Sequence, residues 1–85
     1  MEPLDGNAIA GDLFEHFGNE MTTATGACAT CGTVSVIAEL TVYMRAPGAV
    51  VRCRHCGNVV IVLVHIAGAI RVNTDRFQLA AAELA

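Results

Sequence analysis

Two matching cysteine pairs constrain this 85-residue chain more than any other feature. Its four cysteines form two motifs, Cys28-Ala29-Thr30-Cys31-Gly32 and Cys53-Arg54-His55-Cys56-Gly57. The glycine after each pair allows the positive φ with which such a turn brings both of its sulfurs to one point. Four thiolates at about 2.3 Å satisfy a tetrahedral zinc ion. We therefore predict one Zn²⁺ bound by Cys28, Cys31, Cys53 and Cys56.

A zinc ion held by four cysteines is structural rather than catalytic. Catalytic zinc keeps an open position for water, whereas four cysteines fill the coordination sphere. His55 lies between two of the predicted ligands and could replace a cysteine, but we expect its imidazole to be exposed or to lie beside the site instead. The sequence also shows no paired carboxylates, no Ser/His/Asp set and no phosphate loop, so we expect no enzymatic activity.

Three alternatives to zinc stay open from the cysteine pattern: iron, two disulfides, or a redox-active pair. Disulfides form in oxidising compartments, and no signal peptide is visible at the N-terminus, so we expect a cytoplasmic protein with reduced thiols. A redox Cys-x-x-Cys opens a helix within a βαβ unit. Both pairs here lead into β-like sequence, which favours a metal site.

Chain length, net charge and apolar run length limit the ways in which the chain can be stabilised and the partners that it can bind. A core of this size rarely supplies more than about 3–5 kcal/mol, whereas structural zinc contributes roughly 10–16 kcal/mol, so we expect the metal-free protein to be largely unfolded. The formal net charge is −3, with no lysine and five arginines, which disfavours nucleic-acid binding through phosphates. The longest aliphatic run, residues 59–64, is too short for a membrane helix of about 20 residues.

An N-terminal helix is predicted within residues 1–20. Asp5 or Asn7 can cap its first turn and Gly18 can end it. An apolar stripe runs along one side of the helix. The stripe consists of Ile9, Leu13 and Phe17, with Ala10 and Phe14 widening it.

Residues 21–73 are predicted to form the β domain of the zinc site. We expect a short strand at 21–24, a half-buried strand over 33–43 and a turn at Ala46-Pro47-Gly48. Strands are then predicted at 49–52, 59–66 and 69–72. The strand from Val59 to Ile66 is apolar on both faces, so we expect it to be central or to form a homodimer interface. Residues 74–85 are predicted to be a tail or a short helix, the helix carrying Phe77, Leu79 and Leu84.

The chain resembles a family of short bacterial zinc-ribbon proteins catalogued as a domain of unknown function. The resemblance rests on Leu4-Asp5-Gly6-Asn7-Ala8-Ile9-Ala10-Gly11, on both cysteine motifs, on Ala46-Pro47-Gly48 and on Arg52-Cys53-Arg54-His55-Cys56. It implies zinc at the four cysteines and no established activity. The expected fold is a small zinc-bound α+β domain, in which two zinc knuckles sit on a three- to four-stranded antiparallel sheet with an N-terminal helix.

Three functions are compatible with these features. The first is a structural module that acts through protein–protein contact, with self-association through residues 59–66. The second is a nucleic-acid-binding or transcription-associated ribbon that uses Arg45, Arg52, Arg54 and Arg71. We expect the three arginines near the second cysteine pair, Arg45, Arg52 and Arg54, to offset the negative zinc–thiolate centre instead. The third is a thiol-redox protein. It is the least favoured, because both cysteine pairs lead into β-like sequence rather than opening a helix.

Overall fold

A computed structural model describes residues 4–45 and 47–80, which form one α-helix and eight strands in two antiparallel sheets. The larger sheet has five strands in the order β1-β4-β5-β6-β7, and the smaller one has three in the order β3-β2-β8. The strands are β1 (Leu4–Asp5), β2 (Thr25–Cys28), β3 (Val34–Val36), β4 (Thr41–Arg45), β5 (Gly48–Arg52), β6 (Val59–Ile66), β7 (Ala69–Asn73) and β8 (Phe77–Leu79).

The N-terminal helix begins with a 3₁₀ turn at Gly6–Ile9 and continues as α1 (Ala10–Phe17). The Asp5 carboxylate accepts a hydrogen bond from the Asn7 backbone N–H at 3.0 Å, which makes Asp5 the predicted N-terminal cap. Gly18 adopts φ +77° and ends the helix, as predicted.

The apolar stripe of the helix is narrower than predicted. Ile9 and Leu13 are fully buried and Phe17 is half-buried, but Phe14 is 54% exposed. Including Phe14 in the stripe was wrong, because the side of α1 that packs on the core carries Leu13 and leaves Phe14 exposed to solvent.

The predicted strand over residues 33–43 is broken in the middle. A 3₁₀ turn at Ile37–Glu39 separates β3 from β4 and places the two strands in different sheets. The N–H of Ile37 donates to the carbonyl of Ala24, and that of Ala38 donates to the carbonyl of Thr22. Residues 21–24 therefore form a turn that contacts this break, and the short strand predicted there was wrong. The strand that follows, β2, begins at Thr25.

The later strands agree closely with the prediction. β5, β6 and β7 form consecutive hairpins, and Ala67-Gly68 makes the two-residue turn between β6 and β7 with positive φ at both positions. Pro47 lies in the turn after β4, whereas Ala46 falls outside the described residues. β6 is an interior strand of the larger sheet.

The predicted C-terminal helix is wrong where the structure describes this segment. Residues Phe77–Leu79 form β8, which pairs with β2 so that Phe77 lies opposite Cys28. The Asp75 N–H donates to the Asn73 side chain and the Phe77 N–H to the Thr74 carbonyl, so these residues form a turn rather than a helix cap. Leu84 lies outside the described residues.

The hydrophobic core combines residues from both sheets and α1. Its largest fully buried side chains are Phe77, Ile9, Leu13, Ile37, Leu40, Ile61, Leu63, Val42, Val51 and Val60. Cys28 and Cys53 also belong to this cluster, so the cysteine site lies at the edge of the core. In the described part of the chain, no helix has the length and apolar character needed to cross a membrane.

Candidate metal centre

The two cysteine pairs lie in loops that belong to different sheets. Cys28 ends β2 of the smaller sheet and Cys31 is in the loop that leads to β3. Cys53 directly follows β5 of the larger sheet and Cys56 precedes β6. A site built from both pairs therefore joins the two sheets.

Both loops are closed by the same backbone hydrogen bonds. The N–H of Gly32 donates to the Cys28 carbonyl at 2.8 Å, and the N–H of Gly57 donates to the Cys53 carbonyl at 2.9 Å. Each loop's first cysteine also donates its N–H to the residue five positions on, which is Thr33 in one loop and Asn58 in the other. We call each such loop a knuckle. Gly32 and Gly57 have φ of +75° and +79°, which is why glycine follows each pair.

The four sulfurs converge on one point, with all Sγ atoms within 4.8 Å of one another. The Sγ atoms of Cys28 and Cys56 are 3.7 Å apart, as are those of Cys31 and Cys53. These distances exceed a disulfide bond of about 2.05 Å. They match the edge of a tetrahedron, ~3.8 Å, for sulfurs ~2.3 Å from a central ion. The donor set and its spacing therefore fit a four-coordinate thiophilic metal.

Thr33 prepares Cys31 to act as a thiolate. Its hydroxyl lies 3.2 Å from the Cys31 Sγ. Hydrogen bonds from the Thr33 hydroxyl and, second, from its backbone N–H lower the pKa of Cys31 to about 6. Because metals bind the deprotonated sulfur, this arrangement favours metal binding at neutral pH.

Asn58 has the same role in the second knuckle. Its side-chain N–H₂ donates to the Cys56 Sγ at 3.4 Å. Backbone and side-chain hydrogen bonds from Asn58 lower the pKa of Cys56. By contrast, burial raises the pKa of Cys53, although the His55 N–H donates to its sulfur at 3.4 Å. Thr33 and Asn58 were not predicted from the sequence, yet both occupy the position directly after a knuckle glycine.

No histidine belongs to the cysteine cluster. Among the described residues, the one group of side chains placed to bind a metal ion together consists of the four cysteines. His55 is exposed and contacts Cys53 through its backbone, as expected for a residue beside the site. His65, near the end of β6, lies 3.5 Å from the Asp12 carboxylate. His16 is in the last turn of α1, with its Nδ1 3.3 Å from the Ile70 carbonyl.

Only two of the three arginines expected to offset the thiolate charge lie near the second knuckle. Arg52 donates to the Gly57 carbonyl at 2.9 Å, and Arg54 lies 3.9 Å from Glu39. Arg45 pairs with Gly48 at the opposite end of the β4–β5 hairpin, so its expected place beside the cysteines was wrong.

Comparison with known proteins identifies one family. The model of the family of unknown function DUF6510 matches residues 1–84 of the chain. No curated protein and no solved structure gives a significant match. The chain thus belongs to the DUF6510 family.

Proposed function

We propose that this member of the DUF6510 family is a structural zinc-ribbon protein, which binds one Zn²⁺ through Cys28, Cys31, Cys53 and Cys56 and acts by protein–protein contact. The observation that carries the zinc part is the convergence of four sulfurs at spacings that suit a tetrahedral ion. Such an all-thiolate tetrahedral set is typical of zinc or of iron. Zinc is favoured because four cysteines are a common structural zinc set.

The position of the cysteines supports a structural role for the metal. Cys28 and Cys53 are buried among the core residues, and each knuckle is anchored in a different sheet. Four protein ligands leave no position for a substrate or a reactive water, so the proposal includes no enzymatic activity. Metal binding then contributes directly to folding, because the unfolded chain lacks a preformed site.

Native and denaturing mass spectrometry of the purified protein tests the metal. We expect one zinc per chain, and a polypeptide mass that corresponds to four reduced cysteines. Replacement of Cys53 by serine should remove the zinc and the cooperative thermal transition, because a buried ligand is lost. The matched variant His55→Ala should retain both, since His55 contributes only its backbone to the site.

A metal-free protein that is two or four hydrogens lighter would overturn the zinc proposal in favour of disulfides. A mass increment for iron, together with visible absorption, would replace zinc by iron. Retention of zinc in Cys53→Ser combined with its loss in His55→Ala would contradict the assigned ligand set.

Protein contact is favoured over nucleic-acid binding by the charge of the molecule. The formal charge of −3 falls to about −5 when four thiolates bind one Zn²⁺, because the thiolates add four negative charges and the ion adds two positive ones. Arg52 and Arg54 already contact Gly57 and Glu39 within the chain. A titration with duplex and single-stranded oligonucleotides at low salt tests the alternative, and salt-dependent binding of either would support it.

A further inference from the structure

The outer face of the five-stranded sheet carries an aliphatic strip. Tyr43, Val50 and Val62 lie side by side on β4, β5 and β6, and Val64 and Ile66 continue the same face along β6. Val62 is 36% exposed and Ile66 is 49% exposed. The opposite face of these strands carries the buried core residues, so this strip is not needed to fill the core. We call these five residues the apolar strip.

Three of the five arginines surround the apolar strip. Arg45 and Arg71 flank it in one row across the sheet, because Arg45 pairs with Gly48, Gly48 with Val64, and Val64 with Arg71. Arg52 lies on the same face at the end nearest the second knuckle, 5.8 Å from the Tyr43 ring. A cationic rim therefore borders an apolar centre on a molecule whose net charge is negative.

Acidic residues are nearly absent from this face. Among the strand residues in the described part of the chain that share its orientation, Asp5 on β1 is the only acid, and its carboxylate accepts the Asn7 N–H. The ion pairs found in that part of the chain involve Arg54 and His65 and leave out Arg45 and Arg71. An occupant with carboxylates would thus meet arginines that the described chain does not neutralise.

The size of the face indicates a short segment rather than a second copy of the chain. Four strands spaced ~4.8 Å apart, with about six residues along each, give roughly 14 × 20 Å or about 300 Å². A stable globular interface buries about 800 Å² per partner. A symmetric dimer through this face would also bring its arginine rims together, and like charges oppose association.

The chemistry of the strip favours a protein segment over single-stranded nucleic acid. Platforms for nucleic acid stack successive bases on aromatic rings. Tyr43 is the single aromatic residue here, and Arg52 already lies against its ring, whereas the rest of the strip is aliphatic. Aliphatic side chains with flanking carboxylates complement such a surface better than bases do.

We propose that the outer face of the five-stranded sheet binds a short, extended protein segment with an aliphatic centre and acidic flanks. The inference rests on the proposed function as a contact module and specifies the chemistry of its partner. The aliphatic side chains cover Val50, Val62 and Val64, and the carboxylates lie against Arg45 and Arg71. Arg45 and Arg71 lie three strand spacings apart across the sheet. That distance is roughly 14 Å, which an extended segment spans in about four residues.

The test is an NMR titration of the ¹⁵N-labelled zinc protein with the capped peptide Glu-Glu-Leu-Val-Leu-Glu-Glu. We expect amide shifts confined to β4–β7 and binding that weakens as salt is added. The double variant Arg45→Glu/Arg71→Glu should bind about tenfold more weakly, since two attractions become repulsions. Arg76→Glu is the matched control, because Arg76 is exposed in the turn before β8, and it should bind as the wild type does.

Several results would overturn the proposal: no binding at low salt, equal affinity of wild type and double variant, or peptide-induced shifts outside this face. Tighter binding of oligothymidylate to the same residues would replace the protein segment by nucleic acid. A dimer formed through β6 would replace it by a second copy. Zinc content is measured on every sample. If the protein holds one zinc but does not bind the peptide, only the docking proposal fails. If the protein holds no zinc, the metal proposal fails separately.

Discussion

At the residue scale, the knuckles are defined by more than their cysteines. Thr33 and Asn58 occupy equivalent positions, and each places a hydrogen-bonding side chain beside the second cysteine of its pair. The four cysteines and the two glycines with positive φ could be predicted from spacing alone. Thr33 and Asn58 could not, because their side chains reach the sulfurs only once the knuckle backbone has folded.

Replacement of Thr33 by valine should make the zinc easier to displace by acid. The hydroxyl helps to lower the pKa of Cys31 from 9.0 to about 6, so the thiolate persists as pH falls through that window. Without the hydroxyl the pKa of Cys31 rises, protons compete at a higher pH, and the midpoint of zinc release should shift upward. The measurement is absorbance of a zinc-binding dye during acid titration.

Thr23→Val is the control for this experiment, because Thr23 is exposed and lies outside both knuckles. Its midpoint should equal that of the wild type. Equal midpoints for Thr33→Val and the wild type would show that the hydroxyl does not stabilise the thiolate.

Two glycines of the N-terminal segment should respond oppositely to alanine. A Cβ at Gly6 would lie within 3 Å of the backbone of Ile37 and Ala38, so Gly6→Ala should destabilise the protein by about 1–3 kcal/mol. A Cβ at Gly11 meets no atom within 4 Å, so Gly11→Ala should stabilise α1 by about 0.5–1 kcal/mol. Urea unfolding of both zinc-loaded variants measures the difference, and effects of the same sign would contradict this packing.

At the element scale, the errors of the sequence analysis have a common cause. Alternation over residues 33–43 predicts one strand, but the N–H groups of Ile37 and Ala38 bond to residues 22–24, distant in sequence. Likewise, the threonine and aspartate at 74–75 resemble a helix cap, yet Phe77 pairs opposite Cys28. Local patterns predicted β5, β6 and β7 well because each pairs with its neighbour along the chain.

Phe77 should contribute strongly to stability, because β8 holds its side chain in the core. Its side chain is fully buried and lies over Gly26, where an added Cβ would clash with the ring. Phe77→Ala should therefore cost about 3–5 kcal/mol. Gln78 is the exposed neighbour of Phe77, so Gln78→Ala should change the free energy of unfolding little. Thermal unfolding of the zinc-loaded proteins tests this, and similar stabilities for the two variants would argue against the pairing of β8 with β2.

At the scale of the whole molecule, the cysteine cluster connects two sheets that otherwise meet through the core. Two sulfur pairs that are 3.7 Å apart, Cys28 with Cys56 and Cys31 with Cys53, each join one knuckle to the other. The sequence predicted the convergence of the four cysteines, one N-terminal helix and antiparallel strand pairing. The division into two sheets was not predictable, because it depends on pairing between β2 and β8, which are about 50 residues apart.

Because each knuckle contributes two of the four clustered cysteines, we expect covalent continuity of the chain to be dispensable for assembly around a metal ion. A break before Pro47 separates fragments 1–46 and 47–85, and each retains one cysteine pair. The fragments should reassociate one to one when zinc is added and stay apart in the presence of a chelator, because neither half alone completes the tetrahedron. Size-exclusion chromatography of the mixture reports this complementation, and serine at Cys53 and Cys56 should abolish it. Reassembly that proceeds equally well with chelator would mean that strand pairing alone, without metal, holds the two halves of the molecule together.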